Sequence, residues 1–168
     1  MAKKEQIIKT NAMRVLDARK VSYQAFTYSS EIHSADGAAE ALGVSPHMVY
    51  KTLVVLPESG QGRPLLVMVP GDRELDLKTL GSSVGEKKLR MASKKEAESL
   101  TGLLVGGISA LALLQKNFRI YIAEQATELE QIYVNGGQRG LNLRLAPADL
   151  LKVTGAQPVN IGEAQADD

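Results

Sequence analysis

The sequence predicts an α+β fold: a curved, mixed β-sheet, partly barrel-like, with helices around it. Three observations carry this. Strand-like and helix-like runs mix without the regular βαβ alternation of a doubly wound fold. Two runs, YKTLVVL and PLLVMV, are apolar almost throughout, so the sheet they enter is covered on both faces. The segment between them, ESGQGR, is turn-rich and gives a hairpin-like signal.

The elements follow in order. Thr10 or Asn11 caps a first helix, in which Ala12, Val15, Leu16 and Arg19 recur at helical spacing and Lys20 suits the C-terminal end. VSYQAFTY, 21–28, is aromatic and β-branched and reads as a strand. Ser34 caps a short helix through ADGAAEAL, which Gly43 closes in the left-handed conformation. Ser45-Pro46 restarts a brief helical turn. After the two apolar strands, Asp76 caps a helix through Leu77, Leu80 and Val84. Ser93-Lys-Lys-Glu96 is a capping box opening a helix that Gly102 ends. RIYIA, QIYV and LNLRL are short strands, the last two joined by the glycine-rich turn NGGQRG. Ala148 to Val153 forms a final helix. The chain reads as one domain with its core at about residues 9–155 and a polar tail over 156–168.

Composition narrows the function. The 168 residues include no cysteine, which removes disulfides, thiolate metal sites and a cysteine nucleophile from the protein itself. The start, MAKKEQIIKTNA, is charged and lacks the apolar stretch of a signal peptide, and no run has the roughly 20 apolar residues of a membrane helix. A cytoplasmic protein without membrane attachment is expected. A net charge of +1 argues against a long non-specific grip on duplex nucleic acid, but allows a small site for the end of one RNA strand. The basic clusters Lys87-Lys88-Arg90, Lys94-Lys95 and Arg139 with Arg144 read singly as solvated faces.

Much chemistry is absent. His33 and His47 are the only histidines and share no ligand spacing, so no metal or other cofactor is expected. His33 beside Ser34 reads as a loop neighbour pair. No G-x-S-x-G elbow, phosphate loop or dinucleotide fingerprint occurs.

Three segments remain. Tyr50-Lys51-Thr52 puts a lysine at the mouth of an apolar strand, where it either snorkels to solvent or meets something negative, with Thr52 adding a hydroxyl. TGLLVGGISA, 101–110, carries paired glycines that allow close backbone approach, so its N–H groups could receive the oxyanion of an acyl transfer; a plain turn is the other reading. NGGQRG, 135–140, has the same ambiguity with a basic residue added.

In combination, VYKTLVV, LDLKTLG, TGLLVGGIS and IYVNGGQRGLNL with a following DL resemble the freestanding prolyl-tRNA editing family of YbaK type, from about Lys9 to Leu150. The resemblance implies a compact α+β domain that hydrolyses the ester of a wrongly charged aminoacyl-tRNA, typically cysteine or alanine on tRNA(Pro). It places the essential lysine on Lys51 beside Thr52, the pocket tyrosine on Tyr28 and the loop glycine on Gly106 with Gly107 adjoining. Ile108, Asn135, Gly136 and Asn142 join Tyr28 and Thr52 as substrate-binding positions, and Arg139 joins Lys51 toward the tRNA acceptor end. Prolyl-tRNA synthetase is an implied partner. In the cysteine-specific branch the substrate's own thiol attacks the ester carbonyl; alanine-specific relatives use water. The chain departs from the family pattern at Ala110-Leu111-Ala112, where Pro-x-Gly is usual, making that turn more helical. Asn135 stands where serine is common, and Asn142 where an acidic residue is common. The expected function is deacylation of Cys-tRNA(Pro) or Cys-tRNA. Alternatives are an Ala- or Ser-specific deacylase, a non-catalytic tRNA- or synthetase-binding module, and a small-metabolite hydrolase.

Overall fold

The computed structural model describes residues 8–165. Most of the charged N-terminal segment and the last three residues of the expected tail lie outside that range. Five helices and eight strands follow one another as α1 (Asn11–Ala18), β1 (Gln24–Thr27), α2 (Ala35–Leu42), β2 (Val49–Pro57), β3 (Leu65–Pro70), α3 (Leu77–Val84), β4 (Leu89–Met91), α4 (Lys94–Thr101), β5 (Arg119–Ala123), β6 (Ile132–Asn135), β7 (Leu141–Leu145), α5 (Pro147–Thr154) and β8 (Gln157–Val159).

Local chemistry sets the helix ends. The Thr10 hydroxyl accepts from Met13 N–H, Ser34 from Gly37 N–H, and Asp76 from both Lys78 and Thr79 N–H. Each satisfies a donor that has no partner inside its own helix. The Ser93–Glu96 capping box is formed in full. Gly43, Gly85, Gly102 and Gly155 close α2 to α5 in the left-handed conformation.

All eight strands form one mixed sheet, ordered β1-β7-β6-β2-β3-β5-β8, with β4 on β2. β2 pairs antiparallel with β3, while β2–β6, β3–β5 and β5–β8 are parallel. Every residue of β3 is buried, as expected for a strand covered on both faces. The main core gathers β2, β3, β5, β6 and β7 with α1 and α5. A smaller one joins Ala35, Ala38 and Ala39 of α2 to Val49 and Tyr133. Alanines there let α2 lie close on the sheet, which brings its N-terminal end to the site described below. Among the described residues no helix is long and apolar enough to cross a membrane.

The structure corrects the expected tail. Residues 157–159 form β8 alongside β5, and Ile161 is 0% exposed. The core therefore runs past residue 155 to at least 161. Two further differences are local. The first strand is four residues long rather than eight, and residues 110–113 form a 3-10 turn, in keeping with the helical character expected of Ala110-Leu111-Ala112.

Candidate active site

Register alone gathers the first site residues. Side chains alternate across a strand, so cross-strand partners share a face. Val49 pairs with Tyr133, Asn135 with Asn142, and Asn142 with Phe26. Lys51 lies two residues beyond Val49, and Tyr28 two beyond Phe26. Strands β2, β6 and β7, with the residue that follows β1, thus present Lys51, Asn135, Asn142 and Tyr28 on one face.

The edge of β2 explains why a cavity opens there. That edge is paired with β6 at Val49 and Tyr50 and with β4 from Val55 to Pro57. Between them, residues 51–53 have no strand alongside among the described residues. Ala92 N–H donates to the Val54 carbonyl on this side, whereas Gly71 N–H donates to the Val49 carbonyl on the other. Even-numbered residues of β2 therefore point their main-chain groups at the gap, and Thr52 N–H and C=O open into it.

The gap is part of a cavity of about 300 Å³ whose lining includes Tyr28, Lys51, Thr52, Gly106, Asn135 and Asn142. Ala35 and Ala38 of α2 form one wall, and Lys94 and Ala97 of α4 another. Its charged lining residues are Lys51 and Lys94, with His33 beside them and no carboxylate. Lys51 takes part in none of the ion pairs among the described residues, which are Lys9–Asp17, Arg90–Glu96 and Arg119–Glu86. A half-buried cation with no counterion among the described residues is poised for an external anion. Asn142, 3% exposed, accepts from the Tyr28 hydroxyl at 3.5 Å, a long contact. Burial raises the Tyr28 pKa, so the group stays a hydroxyl donor at neutral pH.

The glycine loop closes the remaining side. Gly107 N–H donates to Leu104 C=O at 2.7 Å, making residues 104–107 a β-turn. Gly106 occupies its third position with φ of +93°, as a type II turn requires. Other groups fix the loop around it. Val105 N–H donates to Glu98 Oε2 and Arg139 Nε to Val105 C=O, both at 2.8 Å; Asn135 Nδ2 donates to Gly106 C=O, also at 2.8 Å. Of the N–H groups from Val105 to Gly107, only that of Gly106 has no partner among the described residues.

The sequence-derived positions thus separate. Tyr28, Lys51, Thr52, Gly106, Ile108, Asn135 and Asn142 all line the cavity; Gly107, Gly136 and Arg139 do not. Gly107 is buried against the main chain of Gln138 and Arg139, and its N–H is spent within the turn. Gly136 donates to Leu141 C=O and packs under the Leu141 side chain. Arg139, half-buried, donates its Nε to the loop. Alternation puts the Thr52 side chain on the face opposite Lys51, so its main chain is what meets the gap. Arg144 is half-buried and lies over the rings of Phe26 and Tyr133, at 5.2 and 6.0 Å. Glu98 and the two alanines of α2 went unnoticed in the sequence. The only signal for Glu98 was its place on the last turn before the glycines.

Residues 29–153 match the aminoacyl-tRNA editing domain family. EbsC of Enterococcus faecalis, provisionally named a Cys-tRNA(Pro)/Cys-tRNA(Cys) deacylase, is 40% identical over 159 residues, 94% of this chain and 95% of its own. ProXp-y of Escherichia coli, a multifunctional Ser/Thr-tRNA deacylase, is 26% identical over 133 residues, 76% of this chain and 80% of its own. Among solved structures, a protein provisionally described as a trans-editing enzyme for prolyl-tRNA synthetase has a TM-score of 0.76 at 28% identity, covering 94% of this chain and 100% of that one.

Proposed function

The chain belongs to the aminoacyl-tRNA editing domain family, and we propose from that membership and the cavity that it is a trans-editing deacylase acting on Cys-tRNA(Pro) or another Cys-tRNA. It takes a mischarged aminoacyl-tRNA and returns free amino acid and tRNA. The observation that supports this reading is that Lys51, Gly106 and the unpaired main chain of Thr52 line one cavity whose lining holds no carboxylate.

On this reading the chain's groups take the following roles. The Lys51 ammonium meets the terminal ribose or phosphate of the acceptor end, the densest negative charge on the substrate. The Gly106 N–H receives the ester oxygen as it gains charge, where a fixed donor stabilises the transition state more than the ground state. With no carboxylate in the cavity lining, the α-ammonium group meets neutral acceptors, Asn142 Oδ1 and the Thr52 carbonyl.

A cavity that holds no carboxylate base suits a substrate that brings its own nucleophile. The cysteinyl sulfur attacks its own ester carbon, forming an S–C bond as the C–O bond to ribose breaks. The ribose oxygen leaves with the proton the thiol gives up, and water then opens the cyclic thioester to free cysteine. The protein's task is orientation and charge stabilisation. Its place of work is the cytoplasm beside prolyl-tRNA synthetase, whose mischarged product it clears, and the whole chain serves as one editing-type domain.

A panel of tRNA(Pro) charged with cysteine, alanine or serine tests the reading. Cysteine should be released fastest. Faster loss of alanine or serine would replace the thiol route by water attack, and stability of every ester with tRNA still bound would make the protein a binding module.

A further inference from the structure

We propose that Arg139 is a positioning residue that locks the Val105–Gly106 peptide, so that the Gly106 N–H faces the cavity; the proposal rests on the deacylase reading for its effect on rate. The peptide between the second and third residues of a β-turn is the one that turns over when type II becomes type I. Here that peptide is Val105–Gly106. Glycine at the third position tolerates both the positive φ of one form and the negative φ of the other, so nothing in Gly106 itself chooses between them.

Arg139 supplies the choice. Its Nε donates to Val105 C=O at 2.8 Å from outside the cavity lining. No peptide bond of the described chain is cis, so the N–H of the same planar unit points away from Arg139, on the side where Gly106 lines the cavity. Turning the peptide over would withdraw the donor and aim a carbonyl at the developing oxyanion. The neighbouring groups are already held: Glu98 takes Val105 N–H, Asn135 holds Gly106 C=O, and Gly107 N–H closes the turn. None of these bonds to the Val105–Gly106 peptide, and among the described residues Arg139 alone does. The turn that carries Arg139 is in turn held close, because Gly107 lies against the main chain of Gln138 and Arg139 and a Cβ there would come within 2.9 Å of Arg139 N. A charged donor also polarises the peptide it binds, which makes the opposite N–H a better donor.

The rival role for Arg139 is a phosphate contact, and kinetics separate the two. Arg139→Lys and Arg139→Ala are compared with the wild-type protein on Cys-tRNA(Pro) and on 3′-O-cysteinyl adenosine, which lacks phosphate. Positioning lowers kcat by about 10²-fold on both substrates, the loss seen when one oxyanion donor is removed. The KM for tRNA and the salt dependence stay unchanged, and low concentrations of guanidinium restore part of the Arg139→Ala rate. A raised KM, a salt slope smaller by about one, and no loss on the adenosine ester would overturn the proposal in favour of a phosphate contact. A crystal structure of Arg139→Ala decides the point without activity: a negative Gly106 φ supports the lock, and an unaltered turn refutes it. Should the wild-type protein cleave no ester, the deacylase reading fails, and the Gly106 conformation still judges the lock.

Discussion

Asn135 spans the two glycine-rich segments: its Nδ2 donates to Gly106 C=O at 2.8 Å while its Oδ1 accepts from Gly137 N–H at 2.7 Å. One side chain, 9% exposed, therefore fixes both the loop that closes the cavity and the turn that carries Arg139. Replacing it by alanine leaves a half-buried carbonyl and a half-buried N–H without these partners, at up to about 1–3 kcal/mol each. Asn135→Ala should lower the denaturation midpoint and the deacylation rate together. Asn135→Asp keeps the acceptor for Gly137 but sets a carboxylate against the Gly106 carbonyl, and should slow turnover at least as much. Thermal melts run beside single-turnover kinetics check both.

Gly106 cannot be replaced cheaply. Its φ is +93°, and a Cβ would stand 3.0 Å from the His33 Cβ. Gly106→Ala should cost about 1 kcal/mol or more in stability from backbone strain, and should reduce kcat as the free N–H shifts. Adding His33→Gly removes the Cβ it would meet and leaves the strain, so the double variant should recover only part of the loss. Full recovery would show the contact, not the dihedral, to be the constraint.

Lys51 is half-buried, has no ion-pair partner among the described residues and points into a cavity, so it adds little to packing. Lys51→Ala should change stability by no more than about 0.5 kcal/mol, as for substitutions away from structural features. Turnover should fall by about 10²-fold or more, in line with the loss of one transition-state charge contact. Circular dichroism and a deacylation assay on the same sample check the two halves.

Acid should loosen the start of α4. The Arg90 guanidinium and the Ser93 N–H hold the Glu96 carboxyl down to about 2 from its ordinary 4.5. A depressed carboxylate stabilises the fold fully above its unfolded value, and that stabilisation is lost as pH falls from 4.5 through about 2. Wild type should therefore be more stable than Glu96→Gln at neutral pH, and the gap should close across that window. Hydrogen exchange at the α4 N-terminus, read against pH in both proteins, checks the sign.

Much of the fold was legible because its boundaries are written in single residues. Ser34 and Gly43 bracket α2, and Ser93, Glu96 and Gly102 bracket α4, at the positions their side-chain chemistry dictates. β8 escaped notice because Gln157-Pro158-Val159 has one buried apolar residue and a proline, and its partner β5 lies more than thirty residues upstream. Of the site, Lys51, Gly106 and Tyr28 could be picked out by resemblance. Their convergence depends on register between strands that sequence does not show. Two adjacent glycines look interchangeable in a sequence. The fold gives them different tasks, one lining the cavity and one packed under a turn. A basic residue in a glycine-rich turn suggests a phosphate contact, and the carbonyl that Arg139 meets is 34 residues away.

The central claim is that Lys51 and the Gly106 N–H act on one aminoacyl ester. Single-turnover deacylation of Cys-tRNA(Pro) by the wild-type protein and by Lys51→Ala tests it most directly. The account expects rapid release of cysteine by the first and a rate near the uncatalysed one for a folded second. Equal release by both proteins, or none by the wild type, would contradict it.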